Sequence, residues 1–124
     1  MEWQLSNLLL SKKLKELEVE QESEFYWAKL YISSKAKGNY SLWTREKVQK
    51  THKLNCEYSA FTVAELGRLL PCATKVGDIR FYNIGEQKHI TMGKIDILDF
   101  TEADGRAKML IYLIENKLIK AEDL

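Results

Sequence analysis

Four side chains in this sequence carry the donor atoms a zinc ion takes: His52, Cys56, Cys72 and His89. His52 and Cys56 stand four apart, but Cys72 and His89 follow at long intervals, without the close ligand pairs of structural zinc sites. The spacing reads as a surface histidine, a strand cysteine and a loop histidine, so no metal or other cofactor is expected. Asp96, Asp99, Glu102 and Asp104 form an acidic cluster of the kind Mg²⁺ suits. Glu102 and Asp104 are better explained as first-turn acids of a helix, and Asp96 as the wet position between core residues Ile95 and Ile97. There is no GxSxG, neither cysteine has an activating context, and no phosphate-binding glycine loop occurs. The chain reads as a non-enzyme, with an enzyme of unrecognised site as one alternative.

Nucleic acid is the reading with a positive signal. Lys29, Lys35, Lys37, Arg45, Lys47, Lys50 and Lys53 are opposed within their stretch only by Glu46, and Tyr31, Tyr40 and Trp43 are interleaved. Cations for phosphates beside aromatic faces for bases make a single-strand platform. Its candidate contacts are Lys47, Lys50 and Lys53 with Trp43 and Tyr40, on a hairpin spanning 29–53. Against it, acids at 16–24 balance the charge, and strand aromatics more often fill a core. A weak single-strand binder is therefore the alternative. The leading expectation is a binding protein that acts through protein contacts.

The elements that would position these residues are legible to different degrees. The clearest is a closing helix whose start, body and stop all lie within 100–119. Thr101 suits the N-cap, Glu102 and Asp104 suit its positive end, and Ala103, Ala107, Leu110, Ile111, Ile114 and Leu118 form one apolar face. Met109, Tyr112 and Leu113 widen that face, and Asn116 suits a left-handed position after the end. Gly105 is the misfit within the helix. A second helix starts at Thr62, where Thr62-Val63-Ala64-Glu65 is a capping box and Phe61 and Leu66 form a hydrophobic staple; Pro71 stops it. Residues 6–18 read as a first helix through Leu10, Leu14 and Leu17, followed by a solvated acidic connector over 19–24.

Strands are read at 24–32, 40–44, 54–61, 79–84 and 90–98, with Gly93 as a bulge within the last and turns at 33–39 and 85–88. Residues 45–53 read as a loop or a fraying edge strand. Short turns between neighbouring strands predict an α+β fold, with an antiparallel sheet of four to five strands, three helices, and the closing helix packed on the sheet. Phe-Thr-x-Ala-acid occurs at both 61–65 and 100–104; a duplicated half-domain and convergent capping chemistry each explain it.

The 124 residues suit one domain, 1–124, with a real core. Nineteen basic against eighteen acidic residues name no partner by net charge. Two cysteines without a framework read as free buried thiols in a reducing cytoplasm. Glu2 and the short Leu8-Leu9-Leu10 run do not make a secretory signal, and no window reaches the ~18 apolar residues of a membrane span. The expected location is the cytoplasm, away from membrane.

Three stretches, LSKKLKELEVEQESEFYW (10–27), FTVAELGRLLP (61–71) and TEADGRAKMLIYLIENKLI (101–119), resemble a family of short uncharacterised proteins encoded by bacteriophage and prophage. Members typically carry Gly after the first helix and Ala in the closing helix, where this chain has Glu18 and Gly105. The resemblance implies a mobile element in a bacterium as the setting, and brings no activity or catalytic residues with it.

Overall fold

The computed structural model describes residues 4–30, 40–51 and 54–124, the side chains at 30 and 54–57 excepted. The closing helix, α4 (Glu102–Glu115), begins where the Thr101 hydroxyl accepts from the Asp104 N–H. Its Ala103, Ala107, Leu110 and Ile111 are buried as expected, as are Met109 and Leu113, which widen the face; Gly105 is buried with them, and Ile114 packs beside them. The helix ends one position later than expected. Asn116 keeps φ −93°, and Lys117 takes the left-handed φ of 58°. The Lys117 and Leu118 amides then bond back to the Ile114 and Leu113 carbonyls at 3.1 and 2.9 Å. The first helix, α1 (Leu8–Glu16), closes in the same way through Glu18 at φ 67°. Glu20, Glu22 and Glu24 of the connector are solvated, but Val19 and Ser23 are buried, because the α1 closure turns Val19 into the core.

The described strands divide between two antiparallel sheets where one was expected. In the first, β1 (Phe25–Leu30) lies between β2 (Ser41–Thr44) and β3 (Leu54–Ala60). A fourth helix, α2 (Arg45–Lys50), follows β2 directly, where a loop or edge strand was read. The Thr44 hydroxyl caps it and a Glu46–Lys50 pair at 2.7 Å spans one turn. It buries no residue, so it shows no apolar period in the sequence. Then α3 (Val63–Leu69) starts at the expected capping box, formed in both directions between Thr62 and Glu65, with Phe61 and Leu66 both buried.

The second sheet runs β4 (Ala73–Thr74), β5 (Gly77–Ile84), β6 (Gln87–Met92), β7 (Ile95–Asp99) in spatial order. The single strand read over 90–98 is thus two strands. Gly93 is a turn residue at φ 62°, not a bulge, and Gly85 at φ 60° opens the preceding two-residue hairpin. On one face of this sheet Ile79, Ile90 and Met92 meet α4 in a core completed by Leu14, Leu66 and Leu70. The α+β class and the packing of the closing helix on a sheet are as the sequence reads.

The start of the described chain is tied to β1 and to the segment that leads into α3. Leu5 bridges to Thr62, the Ser6 N–H donates to the Phe61 carbonyl at 2.8 Å, and the Trp27 indole donates to the Ser6 carbonyl at 2.9 Å. Ser6 and Ser11, both buried, share a hydroxyl–hydroxyl bond of 2.8 Å, so these buried polar groups are satisfied.

Candidate binding surfaces

The acidic residues do not converge on a metal. Asp99 pairs with Lys108 and Glu102 with Arg106, each at 2.7 Å; Asp104 accepts from the Asn7 N–H at 2.8 Å. Asp96 binds His89 Nδ1 through both oxygens, at 3.0 and 3.1 Å. Among the described residues no group of three or more His, Cys, Asp or Glu side chains is placed to hold an ion. Of the four zinc-type ligands, His52 lies outside the described residues and Cys56 is on β3. Cys72 is exposed, not buried as expected, because it sits in the turn between Pro71 and β4.

His89 is the one titratable group of the second sheet that is nearly buried. It lies on the face away from α4, paired across the strands with Tyr82 and Leu98. The Tyr82 ring stacks on it at 4.9 Å and 8°. With Asp96 fixing Nδ1, Nε2 is the nitrogen that would act as a base. It is closed off from solvent and has no hydrogen-bond partner among the described residues. A base must reach the proton it takes, so the His89–Asp96 pair as placed is a strut.

The proposed single-strand contacts are only partly brought together. Lys47 and Lys50 are exposed on α2, with Lys50 held by Glu46; Lys53 lies outside the described residues. Trp43 is half-buried, in the cross-strand row of Tyr26 and Ser59, and its indole donates to Ser41 Oγ at 2.9 Å. Tyr40 packs on Tyr58, which belongs to the row of Trp27 and Leu42. Adjacent rows point to opposite faces of a sheet, so one strand of nucleic acid cannot stack on both Trp43 and Tyr40.

A different basic cluster forms around Tyr40. Lys12 Nζ stands 4.9 Å from its ring centre and 5.6 Å from that of Tyr58; Lys29 is 5.2 Å from Tyr40 and Lys15 5.1 Å from Tyr58. Three cations from α1 and β1 thus converge on two tyrosine faces. The lysines of α1 are legible as its wet side in the sequence. Their meeting with Tyr58 is a tertiary contact with no local signal.

A concavity of about 660 Å³ lies where α3 and α4 begin. Val63, Gly67 and Arg68 form one wall, Thr101, Glu102 and Arg106 another, and Lys88 and Phe100 reach in from the second sheet. Phe100 is 73% exposed, although Phe61, in the same Phe-Thr-x-Ala-acid context, is 1% exposed. Arg106 crosses beside Gly67, binds Glu102 and stacks its guanidinium on the Phe81 ring at 4.3 Å.

Next to this groove β5 has an open edge. β4 pairs only with Gly77 and Asp78. Beyond it Phe81, Tyr82 and Ile84 are exposed, and no described strand covers their outer side. The edge has no proline and Arg80 as its one charge, without the devices that usually block strand addition. No helix among the described residues is long and apolar enough to cross a membrane. No family model, curated protein or solved structure matches this chain.

Proposed function

We propose that this is a non-catalytic binding protein that works through protein contacts, a small accessory protein of the phage and prophage kind acting in the cytoplasm. The observation that carries this reading is the open edge of β5. Phe81, Tyr82 and Ile84 are exposed along it, beside a groove into which Phe100 projects. Exposed apolar surface gathered at one end of a domain favours a contact role, and unpaired strand amides give a partner directional bonds. Asp96, Asp99, Glu102 and Asp104 each bond a different group, His89, Lys108, Arg106 and the Asn7 amide, so the acidic cluster of the sequence is not gathered at one site. Affinity capture from a bacterial host, run with the native chain and with Phe100→Ser and Ile84→Ser, tests it. A discrete partner held by the native chain and lost from both variants, with melting unchanged, supports the reading. Identical captures by all three overturn it. Gene neighbourhood tests the phage setting.

A second reading, single-stranded nucleic acid, is favoured by the cluster of Lys12, Lys15 and Lys29 around Tyr40 and Tyr58. Titration of a labelled single strand against salt should then show a slope near −0.7 per phosphate contacted. Lys12→Ala with Lys29→Ala should flatten it, whereas Lys47→Ala with Lys50→Ala flattens it only if α2 is the contact surface.

A further inference from the structure

We propose that the groove between α3 and α4 takes an acidic peptide segment of a partner protein, one that carries carboxylates beside apolar side chains. The inference rests on the reading above that this end of the domain is a contact surface, and it names the chemistry of the partner. Charge comes first. Arg68 reaches the groove from α3, Arg106 from α4 and Lys88 from β6, against one carboxylate, that of Glu102. Asp99 and Asp104 do not line it: the first is neutralised by Lys108, and the second turns to the Asn7 amide. The whole chain carries a net charge of only +1, so this excess of cations is local.

Only one of the three cations is paired. Arg106 binds Glu102 Oε1 through Nε and Nη2, at 3.2 and 2.7 Å. Lys88 and Arg68 form no ion pair among the described residues. Lys88 is the more telling of the two, because it is half-buried. A cation partly withdrawn from water without a counter-charge is short of an anion.

Arg106 is preset for the same ligand. Its guanidinium lies 4.3 Å from the Phe81 ring centre and is tethered by one oxygen of Glu102. Nη1 stands over Gly67, where a methyl would come within 2.5 Å of it, and makes no hydrogen bond among the described residues. A guanidinium already fixed in place loses little freedom on taking a carboxylate.

The walls decide the body of the ligand. Val63 and Ala64 of α3 and the bare ring of Phe100 set apolar surface in the same groove. A phosphate backbone has nothing to place against them. A segment that interleaves carboxylates with apolar side chains meets both kinds of surface. At about 660 Å³ the groove is the size of a ligand cleft, so a short segment enters it, not a flat face.

Binding of the full chain to three sets of arrayed peptides tests this. In one, Asp and Glu alternate with Leu and Phe; in the second, Lys replaces the acids; in the third, Ser replaces the apolar residues. The acidic apolar set should bind, and less so as salt rises; the other two should not. Arg68→Gln with Lys88→Gln should weaken that binding roughly tenfold. Lys75→Gln with Lys94→Gln removes the same charge from exposed turns at the opposite ends of β5 and β6, and should leave it unchanged. Arg68→Glu with Lys88→Glu should move the preference to the basic set. Neither residue holds an ion pair in the fold, so these variants remain folded, and a thermal melt checks that. Equal binding of the acidic and basic sets, no binding by any set, or an acidic preference that both glutamine pairs lower alike overturns the inference. Equal binding of the Ser set, or displacement of the acidic peptides by single-stranded DNA, also overturns it, since the groove would then be a general anion site. Capture of a partner that Phe100→Ser and Ile84→Ser abolish, without a preference among the peptides, would uphold the contact surface and overturn only the chemistry given to its partner.

Discussion

Gly105 of α4 faces Ile90 of β6 so closely that a methyl on Gly105 would stand 3.1 Å from Ile90 Cδ1. Helix propensity alone says Gly105→Ala should stabilise by about 1 kcal/mol. Ile90 is 1% exposed and cannot swing aside freely, and overpacking costs about 1–3 kcal/mol. The expected outcome is a net loss of about 1 kcal/mol in urea denaturation. In an Ile90→Val background, where Cδ1 is gone, the same substitution should become stabilising. A gain in the native background would show that the helix and sheet can separate slightly at no cost.

Leu110 lies at the centre of the face that α4 buries and is inaccessible to solvent. Leu110→Ala should therefore cost about 2–5 kcal/mol, the transfer term plus the cavity. Chemical denaturation reads this directly, and a loss under about 0.5 kcal/mol would mean that the helix packs by another face.

Glu18 closes α1 in a left-handed conformation, φ 67°, that costs a side-chain-bearing residue about 1–2 kcal/mol. Glu18→Gly should raise stability by up to about 1 kcal/mol, since part of the relief is offset by the freedom glycine has in the unfolded chain. Lys117, at φ 58°, should behave the same way at the end of α4. Glu18→Ala keeps the strain and should gain nothing, which separates backbone relief from loss of a charge.

Stability should not depend on a metal. The described half of the zinc-type set is dispersed: Cys72 is exposed in a turn, and His89 is held by Asp96. Overnight chelation should leave the melting midpoint unchanged. A fall of several degrees would restore His52 and Cys56 as ligands and require a rearranged His89.

What the residues determine alone is what short-range chemistry decides. Thr62 and Glu65 satisfy each other's amides within one turn, so the start of α3 is written in four residues. Thr101 starts α4, and the alternation in 79–84 makes a strand, for equally local reasons. α2 escaped this reading because its cap and its Glu46–Lys50 pair stabilise a helix without a buried face, so there was no period to see. The division into two sheets was also invisible, since strand pairing is a long-range choice that each strand's own pattern leaves open. The two Phe-Thr-x-Ala-acid stretches make the limit plain. Their threonines cap α3 and α4 alike, because a cap bonds only to its own first turn. Their phenylalanines differ, one sealed and one bare, because burial depends on what the rest of the chain sets opposite: Phe61 is met by the Leu5–Ser6 segment and Leu66, and Phe100 by an open groove.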